Sequence, residues 1–376
     1  MLKGSADCYF AIMFLTRFGQ ILSEYRKEIT PFIFLVILHV LSVSRFFLEE
    51  IYVLRFFKSF TLFMRYLLGK IPLSVGDCLY FLLTLIILYH LFKTLFKWFY
   101  LKISDVNWKI IIRSTGWSWL SYTLLWGLQY KQVGLTEKWQ LPRIHYGKTE
   151  LLALNQQLVS ELNQLKTAID SSKTPEENWA TIATDEFFIL SDNKDEPFIP
   201  EYSPISIKKS IWTPLMNAWG ISGYYNPWTS EAQVNDEIPA FLKPFIATHE
   251  IAHQLGIARE QDANLLGLVI ADRSENPVLR YSATFHLYLY AHAALYTIDS
   301  SLAKSTQLHV NAGVRQDMIN YKNYLLENES FWEPLISAIY HQFLIKQGQK
   351  RGLNSYSDVV GLWLAYVKKK ESAVKN

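Results

Sequence analysis

The sequence predicts two differently built parts: an α-helical membrane region at the N-terminus and an α+β, mostly helical domain after it. Three long stretches without charge lie within the first 130 residues. That segment holds 14 Lys/Arg against 7 Asp/Glu, whereas the remaining residues hold 23 against 27. The later residues also change to a helical pattern with one pair of strand-like segments. Two parts of opposite net charge and different solvation are therefore expected.

The composition excludes several classes of protein. Only 19% of the 376 residues are charged and 50% are apolar, which rules out a disordered chain or a coiled coil. The two cysteines, Cys8 and Cys78, both lie in the apolar first part, so a disulfide framework and a thiolate site in the later domain are excluded. The later domain has a net charge of −4 and no basic stripe, so no nucleic-acid partner is expected.

Residues 1–130 are predicted to form a membrane region with about three transmembrane helices, at about residues 29–48, 71–92 and 110–130. Each span contains a charge-free run of 15 to 17 residues, and apolar flanks extend it to the roughly 20 residues that cross a bilayer. Tryptophans, which favour the membrane interface, lie near the ends of the last two spans at Trp98, Trp108, Trp117, Trp119 and Trp126. The lipid bilayer is therefore an expected partner.

The charges between the spans predict the orientation. Lys/Arg residues are concentrated before the first span and between the second and third, which favours a cytoplasmic N-terminus. After three crossings, everything beyond Tyr130 lies on the outer side, the periplasm if the cell has two membranes. The predicted location is thus a cellular membrane, with the later domain on its outer side. The segment Phe46–Lys70 mixes charges with aromatics and leucines, and this pattern predicts an amphipathic helix at the headgroup level.

Residues 131–210 are expected to form a linker and a helical lead-in to the domain at 211–370. Within the lead-in, Leu151–Ile169 has leucines on one helical stripe, and Ser171–Lys209 has the Pro, Ser, Asp and Glu content of a loop.

The domain itself begins with a strand signal and continues as helix. Ile221–Tyr225 and Glu231–Asn235 flank a turn and predict a strand pair. From Pro239 onward the pattern is helical nearly to the end.

One motif carries chemistry: His249-Glu-Ile-Ala-His253 fits HExxH. Residues four apart on a helix lie on the same face, so both imidazoles can reach one metal ion. Zn²⁺ suits two neutral imidazoles and an open position, and it lowers the pKa of a bound water to about 7. Glu250 projects from the same side and is the expected general base. The predicted cofactor is one Zn²⁺ ion.

A zinc site of this kind needs a third protein ligand. Gly256 can turn the chain back over the metal, and the next helix opens with two acidic residues, Glu260 and Asp262. Two carboxylates two apart on a helix point in different directions, so only one can coordinate. Glu260 is the preferred ligand and Asp262 the alternative. Asn264, one turn beyond Glu260, is predicted to hydrogen-bond one of the metal ligands, although a solvated helix face explains it nearly as well.

Two resemblances add to this interpretation. The block Glu260-x-x-Ala263-Asn264 resembles the ExxAD pattern of zincins with a glutamate third ligand, although Asn stands where those proteins have Asp. Nearly the whole chain resembles an uncharacterised family of three-span bacterial inner-membrane proteins with a domain of unknown function. The stretches that carry this second resemblance are Ile71–Asp77, Leu125–Tyr130, Gly223–Asn235 and His249–Gly256. It implies a zincin-like, membrane-anchored zinc metallopeptidase and supplies no substrate.

Substrate-binding residues follow from the strand pair. In zincins an extended substrate pairs with an edge strand beside the HExxH helix, and Glu231–Asn235 is the candidate strand here. The candidate substrate-binding residues are Tyr224, Asn226, Glu231, Gln233 and Asn235. A donor for the developing oxyanion is also needed, and Tyr281 or His286 could supply it.

The function hypothesis is hydrolysis of peptide bonds by metal-activated water, with His249, His253 and Glu260 as ligands and Glu250 as base. The alternative is a membrane-tethered sensor or interaction module that binds zinc without catalysis, with Asp262 or His286 as a fourth ligand. Intramembrane proteolysis is disfavoured, because charged residues flank a run too short to cross a bilayer.

Overall fold

The structure is a computed structural model that describes residues 23–100, 107–142, 144–171, 178–191 and 201–374. Its helices before the sheet are α1 (Arg26–Leu41), a π-helical segment (Phe47–Phe57), α2 (Lys58–Leu68), α3 (Val75–Tyr100), α4 (Trp108–Leu125), a 3₁₀ turn (Gly127–Lys131), α5 (Leu135–Lys138), α6 (Lys148–Ser171) and α7 (Trp179–Ser191).

The remaining elements surround the sheet or follow it. They are β1 (Ile207–Lys209), α8 (Thr213–Trp219), β2 (Gly223–Asn226), β3 (Glu231–Val234), a 3₁₀ turn (Ala240–Leu242), α9 (Lys243–Gln254), α10 (Glu260–Arg273), α11 (Pro277–Ile298), α12 (Ser300–Gln307), α13 (Ala312–Glu327), α14 (Trp332–Lys346), a 3₁₀ segment (Gly352–Asp358) and α15 (Val359–Val374). The described chain is thus mostly helical with one small sheet, as expected for the later domain.

Contacts divide the chain into two compact units. Of the described residues, the first unit contains those up to Tyr52 and those within Tyr80–Lys131, and the second contains Val53–Leu79 and those from Gln132 onward. This division differs from a boundary at residue 130, because Val53–Leu79 belongs with the later domain.

In the first unit, α1 and α4 lie parallel and in close contact. Lys109 pairs with Glu24 near the start of both helices at 3.0 Å, and Lys131 donates to the Ser42 hydroxyl after both have ended. Gly116 allows the approach, since a Cβ there would lie 2.7 Å from the Pro31 ring. Small residues at such crossings let helix backbones come together.

Within the described residues, α3 is the one helix that is long and apolar enough to cross a membrane, judged by length and composition. Its 26 residues exceed the roughly 20 that a bilayer requires, and most of its apolar side chains are exposed. The span predicted at 29–48 is interrupted, because α1 ends at Leu41 and Ser42 bonds back to the His39 carbonyl. The span predicted at 110–130 is also shorter as a continuous helix, since α4 ends at Leu125.

The second unit is built around a three-stranded sheet in the order β1-β3-β2. β3 lies in the middle, parallel to β1 and antiparallel to β2, with Tyr224 opposite Gln233. α9 packs on this sheet, and all twelve of its residues are buried. α10, α11 and α7 cover α9, so the helix that carries His249 and His253 forms the centre of the hydrophobic core.

Two predictions about the strands and loops need correction. The segment Ser171–Lys209 is not all loop, because α7 and β1 lie within it, while residues 172–177 and 192–200 are outside the described residues. The strand pair after Ile221 is confirmed, but Glu231–Asn235 is not an edge strand. β1 adds to β3 from a distant part of the chain and leaves β2 at the edge.

Candidate metal centre

The site begins with the local sequence of α9. Pro244 stands in its first turn, where a missing N–H costs nothing, and the apolar residues that follow bury the helix. His249 and His253 lie one turn apart on one face, and their ring centroids are 4.6 Å apart. The helix thus presents two imidazoles to one point in a buried environment.

A tight turn after α9 brings the third group. Gly256 adopts a φ of +88°, which favours glycine, and the Ile257 N–H donates back to the Ala252 carbonyl. α10 then begins at Glu260, whose Oε2 lies 3.3 Å from His249 Nε2 and 3.4 Å from His253 Nε2. The three ligand atoms all lie within 4.8 Å of one another, and all three residues are buried. His249, His253 and Glu260 could therefore hold a metal ion.

Two hydrogen bonds orient these ligands. The His253 Nδ1–H donates to the Ile257 carbonyl at 2.7 Å, which turns Nε2 towards Glu260. The Tyr340 hydroxyl donates to Glu260 Oε1 at 2.7 Å, which leaves Oε2 for the imidazoles. Tyr340 stands 80 residues downstream of Glu260 on α14 with no motif around it, so nothing in the sequence points to it.

The charges of the three groups are strongly coupled. Burial alone would lower the pKa of His253, but the adjacent Glu260 carboxylate outweighs it and raises that pKa to about 9. Burial opposes ionisation of Glu260 as well, yet the two imidazoles hold its pKa well below the usual range. This arrangement keeps a negative charge between two rings, and a metal cation would displace the proton from His253.

Glu250 lies beside this group on the same helix. It is only 4% exposed, and its Oε2 has no hydrogen-bond partner among the described residues. Burial raises the pKa of Glu250 to about 6, against the opposing effect of the two imidazoles. Gly223, at the start of β2, makes room for it, because a Cβ there would lie 2.6 Å from Glu250 Oε1. A buried carboxyl with a pKa near 6 is suited to accept and return a proton near neutral pH.

The alternative ligand, Asp262, is directed elsewhere. Its Oδ2 accepts the Leu135 N–H at 3.1 Å and lies 4.0 Å from the Arg259 guanidinium. Two positions along α10 from Glu260, the side chain points to a different neighbour, as helix geometry requires. Asp262 is therefore not a member of the candidate metal group.

Asn264, predicted to hydrogen-bond a ligand, donates to none of the three residues of the metal group. It is buried, but its amide nitrogen has no acceptor in the described part of the chain, so it donates to none of the three ligands. Its side chain lies beside Tyr290 of α11, which also lies near Glu260.

The five residues predicted to bind substrate mostly bond other parts of the protein. Glu231, Gln233 and Asn235 are fully buried; Glu231 accepts the Val75 N–H, and Asn235 donates to Asn217. Asn226 is fully buried too and accepts the Trp228 N–H within the β2–β3 turn. Tyr224 is half-buried and donates to Asp77. The structure thus places the other four residues in the protein interior, on the strands and at the end of β3, and their part in substrate binding stays a prediction.

The two predicted oxyanion donors are placed differently from one another. Tyr281 is buried and donates its hydroxyl to Asp317 at 2.7 Å, so that proton is already committed away from the metal group. His286 packs against Phe245 at 4.6 Å between ring centroids, and its Nδ1–H donates to the Ser282 carbonyl. Burial lowers the pKa of His286 to about 4, with a smaller contribution from nearby His249. Of the two, His286 is the one near the site.

Comparisons with known proteins give a family and no activity. No curated protein and no solved structure matches the chain. A family model described as "Protein of unknown function (DUF3810)" matches residues 52–364, which include α3, the sheet, the metal group and Tyr340. The match covers most of the chain, which therefore belongs to the DUF3810 family.

Proposed function

We propose that this protein is a membrane-anchored zinc-dependent metallopeptidase. One observation carries the proposal: a buried group of two imidazoles and one carboxylate lies next to a second buried carboxyl, Glu250, whose pKa is raised to about 6. A base that directly follows one of the metal ligands on the same helix suits hydrolysis by an activated water.

The donor set suits zinc. Two imidazole nitrogens and one carboxylate oxygen are a ligand set of catalytic zinc sites, whereas Mg²⁺ and Ca²⁺ prefer oxygen ligands alone. A zinc ion held by His249, His253 and Glu260 would supply a Lewis acid and lower the pKa of a water beside Glu250.

Glu250 then carries out the proton transfers of peptide hydrolysis. Glu250 takes a proton from the attacking water, whose oxygen forms a new bond to the carbonyl carbon of the substrate. The bond between that carbon and the amide nitrogen breaks, and Glu250 returns the proton to the departing amine. A buried carboxyl that is partly protonated near pH 6 can both accept a proton and return it.

The edge strand β2 is the proposed guide for the substrate backbone. In the described part of the chain β2 pairs with β3 on one side only, and its first residue, Gly223, touches Glu250. An extended peptide added along this strand would bring a backbone carbonyl towards the base without selecting side chains. This assigns to β2 the role that the sequence suggested for Glu231–Asn235.

The proposed anchor comprises three helices, of which α3 best meets the requirement for a span. α1 and α4 have exposed apolar side chains, among them Ile33, Val36, Ile110 and Ile111, that fit a lipid environment. The Lys/Arg bias supports a cytoplasmic N-terminus and a domain on the outer side. Labelling of the single-cysteine variants Lys97→Cys and Lys350→Cys by an impermeant maleimide in intact cells tests this topology. Only Lys350→Cys should react, and labelling of Lys97→Cys instead would show the opposite orientation.

The test of the function compares two variants of the full chain purified in detergent. Glu250→Gln should keep one zinc equivalent and lose hydrolysis of a degenerate peptide library by at least about 100-fold, since it retains the ligands and removes the base. His253→Ala should lose the zinc as well. Tyr281→Phe is the matched control and should keep both properties. Zinc-loaded wild-type protein that cleaves no peptide, or a Glu250→Gln variant that still cleaves, overturns the proposal. Zinc binding without any cleavage would favour a zinc-binding sensor.

A further inference from the structure

The membrane helix α3 begins on the sheet that supports the candidate site. Its first two N–H groups, from Val75 and Gly76, donate to the buried Glu231 carboxylate of β3, which also pairs with Lys208 of β1. An anion at a helix N-terminus is stabilised by the helix dipole. Gly76 lies so close to the β2–β3 turn that a Cβ there would be 2.6 Å from Asn226 Nδ2. The start of α3 is therefore fixed to the sheet.

Asp77 extends this connection towards the metal group. It is fully buried, and it accepts the Ile211 N–H at 2.8 Å and the Tyr224 hydroxyl. Tyr224 follows Gly223 directly, and Gly223 packs against Glu250. Two consecutive residues of β2 thus join the first turn of the membrane helix to the proposed general base.

A second and separate connection runs through α2. Arg65 is buried on the inner side of α2; it donates to the Pro204 carbonyl and lies over the Tyr202 ring at 5.1 Å. The Tyr202 hydroxyl donates at 2.7 Å to Oε1 of Gln254, the residue after the metal ligand His253. A single residue, Tyr202, therefore links α2 to the end of α9.

The outer side of α2 is apolar and exposed. Phe63 is 61% exposed and Tyr66 is 72% exposed, and the exposed side chains of Leu67, Ile71 and Leu73 continue this surface to the start of α3. We call these five residues the α2 surface. An amphipathic helix with large exposed aromatics, leading directly into an apolar spanning helix, fits the interface of a lipid bilayer. The occupant that suits the α2 surface is therefore lipid, because the surface is continuous with α3.

The apolar run of α3 begins close to these buried residues. The charge-free run of α3 begins at Cys78, one residue after Asp77, and a helix rises only about 1.5 Å per residue. This run therefore starts directly after Asp77, which Tyr224 and Gly223 connect to Glu250. A bilayer that holds this run and covers the α2 surface would therefore lie close to Glu250 and β2.

We infer that the substrate is the membrane-proximal segment of a membrane-anchored polypeptide, cleaved within a few residues of the bilayer. This inference rests on the proposed peptidase function and names the substrate class for the same site. A peptide anchored in the same bilayer is confined near β2, so its effective concentration there is far higher than that of a free peptide. Main-chain pairing with β2 requires the segment to be extended rather than folded.

The experiment uses the full chain with zinc, reconstituted in phosphatidylethanolamine and phosphatidylglycerol vesicles. Three probes share one degenerate ten-residue segment with a fluorophore and a quencher. In the first the segment directly follows a 20-residue Leu/Ala span, in the second a 40-residue Gly/Ser linker separates them, and in the third the span is absent. The first probe should be cleaved at least about tenfold faster than the other two at equal bulk concentration.

The possible results distinguish this inference from the peptidase function on which it rests. Equal cleavage of all three probes, lost in Glu250→Gln, overturns the inference and leaves the peptidase intact. Cleavage of none of them overturns both.

The double variant Phe63→Ser/Tyr66→Ser changes two exposed residues of the α2 surface and should lower the ratio of anchored to soluble cleavage at least about threefold. Leu308→Ser, at a residue that is 75% exposed outside the α2 surface, should leave the ratio unchanged. An equal loss in both variants also contradicts the inference.

Discussion

The Tyr340 hydroxyl donates a hydrogen bond of 2.7 Å to Glu260 Oε1 and so fixes which oxygen faces the imidazoles. Oε2 lies 3.3 Å from His249 Nε2 and 3.4 Å from His253 Nε2. A carboxylate at the first position of a helix has several rotamers, and this hydrogen bond selects the one that closes the group. α14 therefore contributes to a site whose ligands come from α9 and α10.

Removing this hydroxyl should weaken metal binding without abolishing it. We expect Tyr340→Phe to lower zinc affinity by about 10- to 100-fold, because the ring still packs while Glu260 loses its orienting donor. Competition with a zinc-binding dye measures the affinity. Tyr366→Phe is the matched control, since the Tyr366 hydroxyl donates to a different carboxylate, Asp272. Equal affinities in the two variants would mean that Tyr340 has no influence on the metal.

Gly223 should be required for hydrolysis and not for metal binding. An alanine there would place Cβ 2.6 Å from Glu250 Oε1 and 2.8 Å from its Cγ, so the base must move while the three ligands stay. We expect Gly223→Ala to keep one zinc equivalent and to lower kcat/KM by at least about tenfold, because proton transfer depends on the position of the base.

Gly147→Ala is the control for this prediction. A Cβ at Gly147 would meet only Glu150 Oε2 at an ordinary 3.7 Å. Peptide hydrolysis and zinc content are measured on both variants. Wild-type activity in Gly223→Ala would show that Glu250 does not depend on its contact with β2.

The sequence predicted the parts of the site that are local and missed those that depend on distant packing. The spacing of His249 and His253 on a helix, the turn at Gly256 and the choice of Glu260 all follow from consecutive residues. Tyr340 could not be found, because a single aromatic on a helix is usually part of a core.

The strand roles were misassigned because they depend on pairing with a distant segment of the chain. β1 has three residues and reaches β3 by a parallel pairing from 25 positions upstream, measured from Ile207 to Ala232. Parallel pairing leaves no hairpin signal in the sequence. Without β1, Glu231–Val234 has the alternation of an edge strand, and its buried polar residues suggest a substrate cleft.

The Lys208–Glu231 pair should contribute strongly to stability. Both side chains are buried, and Glu231 also accepts the N–H groups that begin α3. We expect Lys208→Met to lower the free energy of unfolding by about 3 to 5 kcal/mol, because it leaves the Glu231 charge buried without its cation. Urea unfolding of the full chain in detergent micelles measures the loss.

The neighbouring residue provides the comparison. Lys209 pairs with Asp236 at the surface, where it is 61% exposed, so Lys209→Met should cost about 0 to 1 kcal/mol. Similar losses in the two variants would indicate that burial of the Lys208–Glu231 pair is not what stabilises the sheet.

Zinc should stabilise the folded protein through the same three ligands. A ligand that binds only the native state at 100 times its Kd adds about 2.7 kcal/mol to the free energy of unfolding. We expect that increase in the wild-type protein and none in His253→Ala, since the variant loses one of the three ligands on adjacent helices. Mg²⁺ at the same concentration should give no increase, because it prefers a shell of oxygen ligands. Urea unfolding with and without each metal provides the measurement. An equal zinc-induced increase in wild type and His253→Ala would place the bound metal elsewhere and remove the basis for the proposed centre.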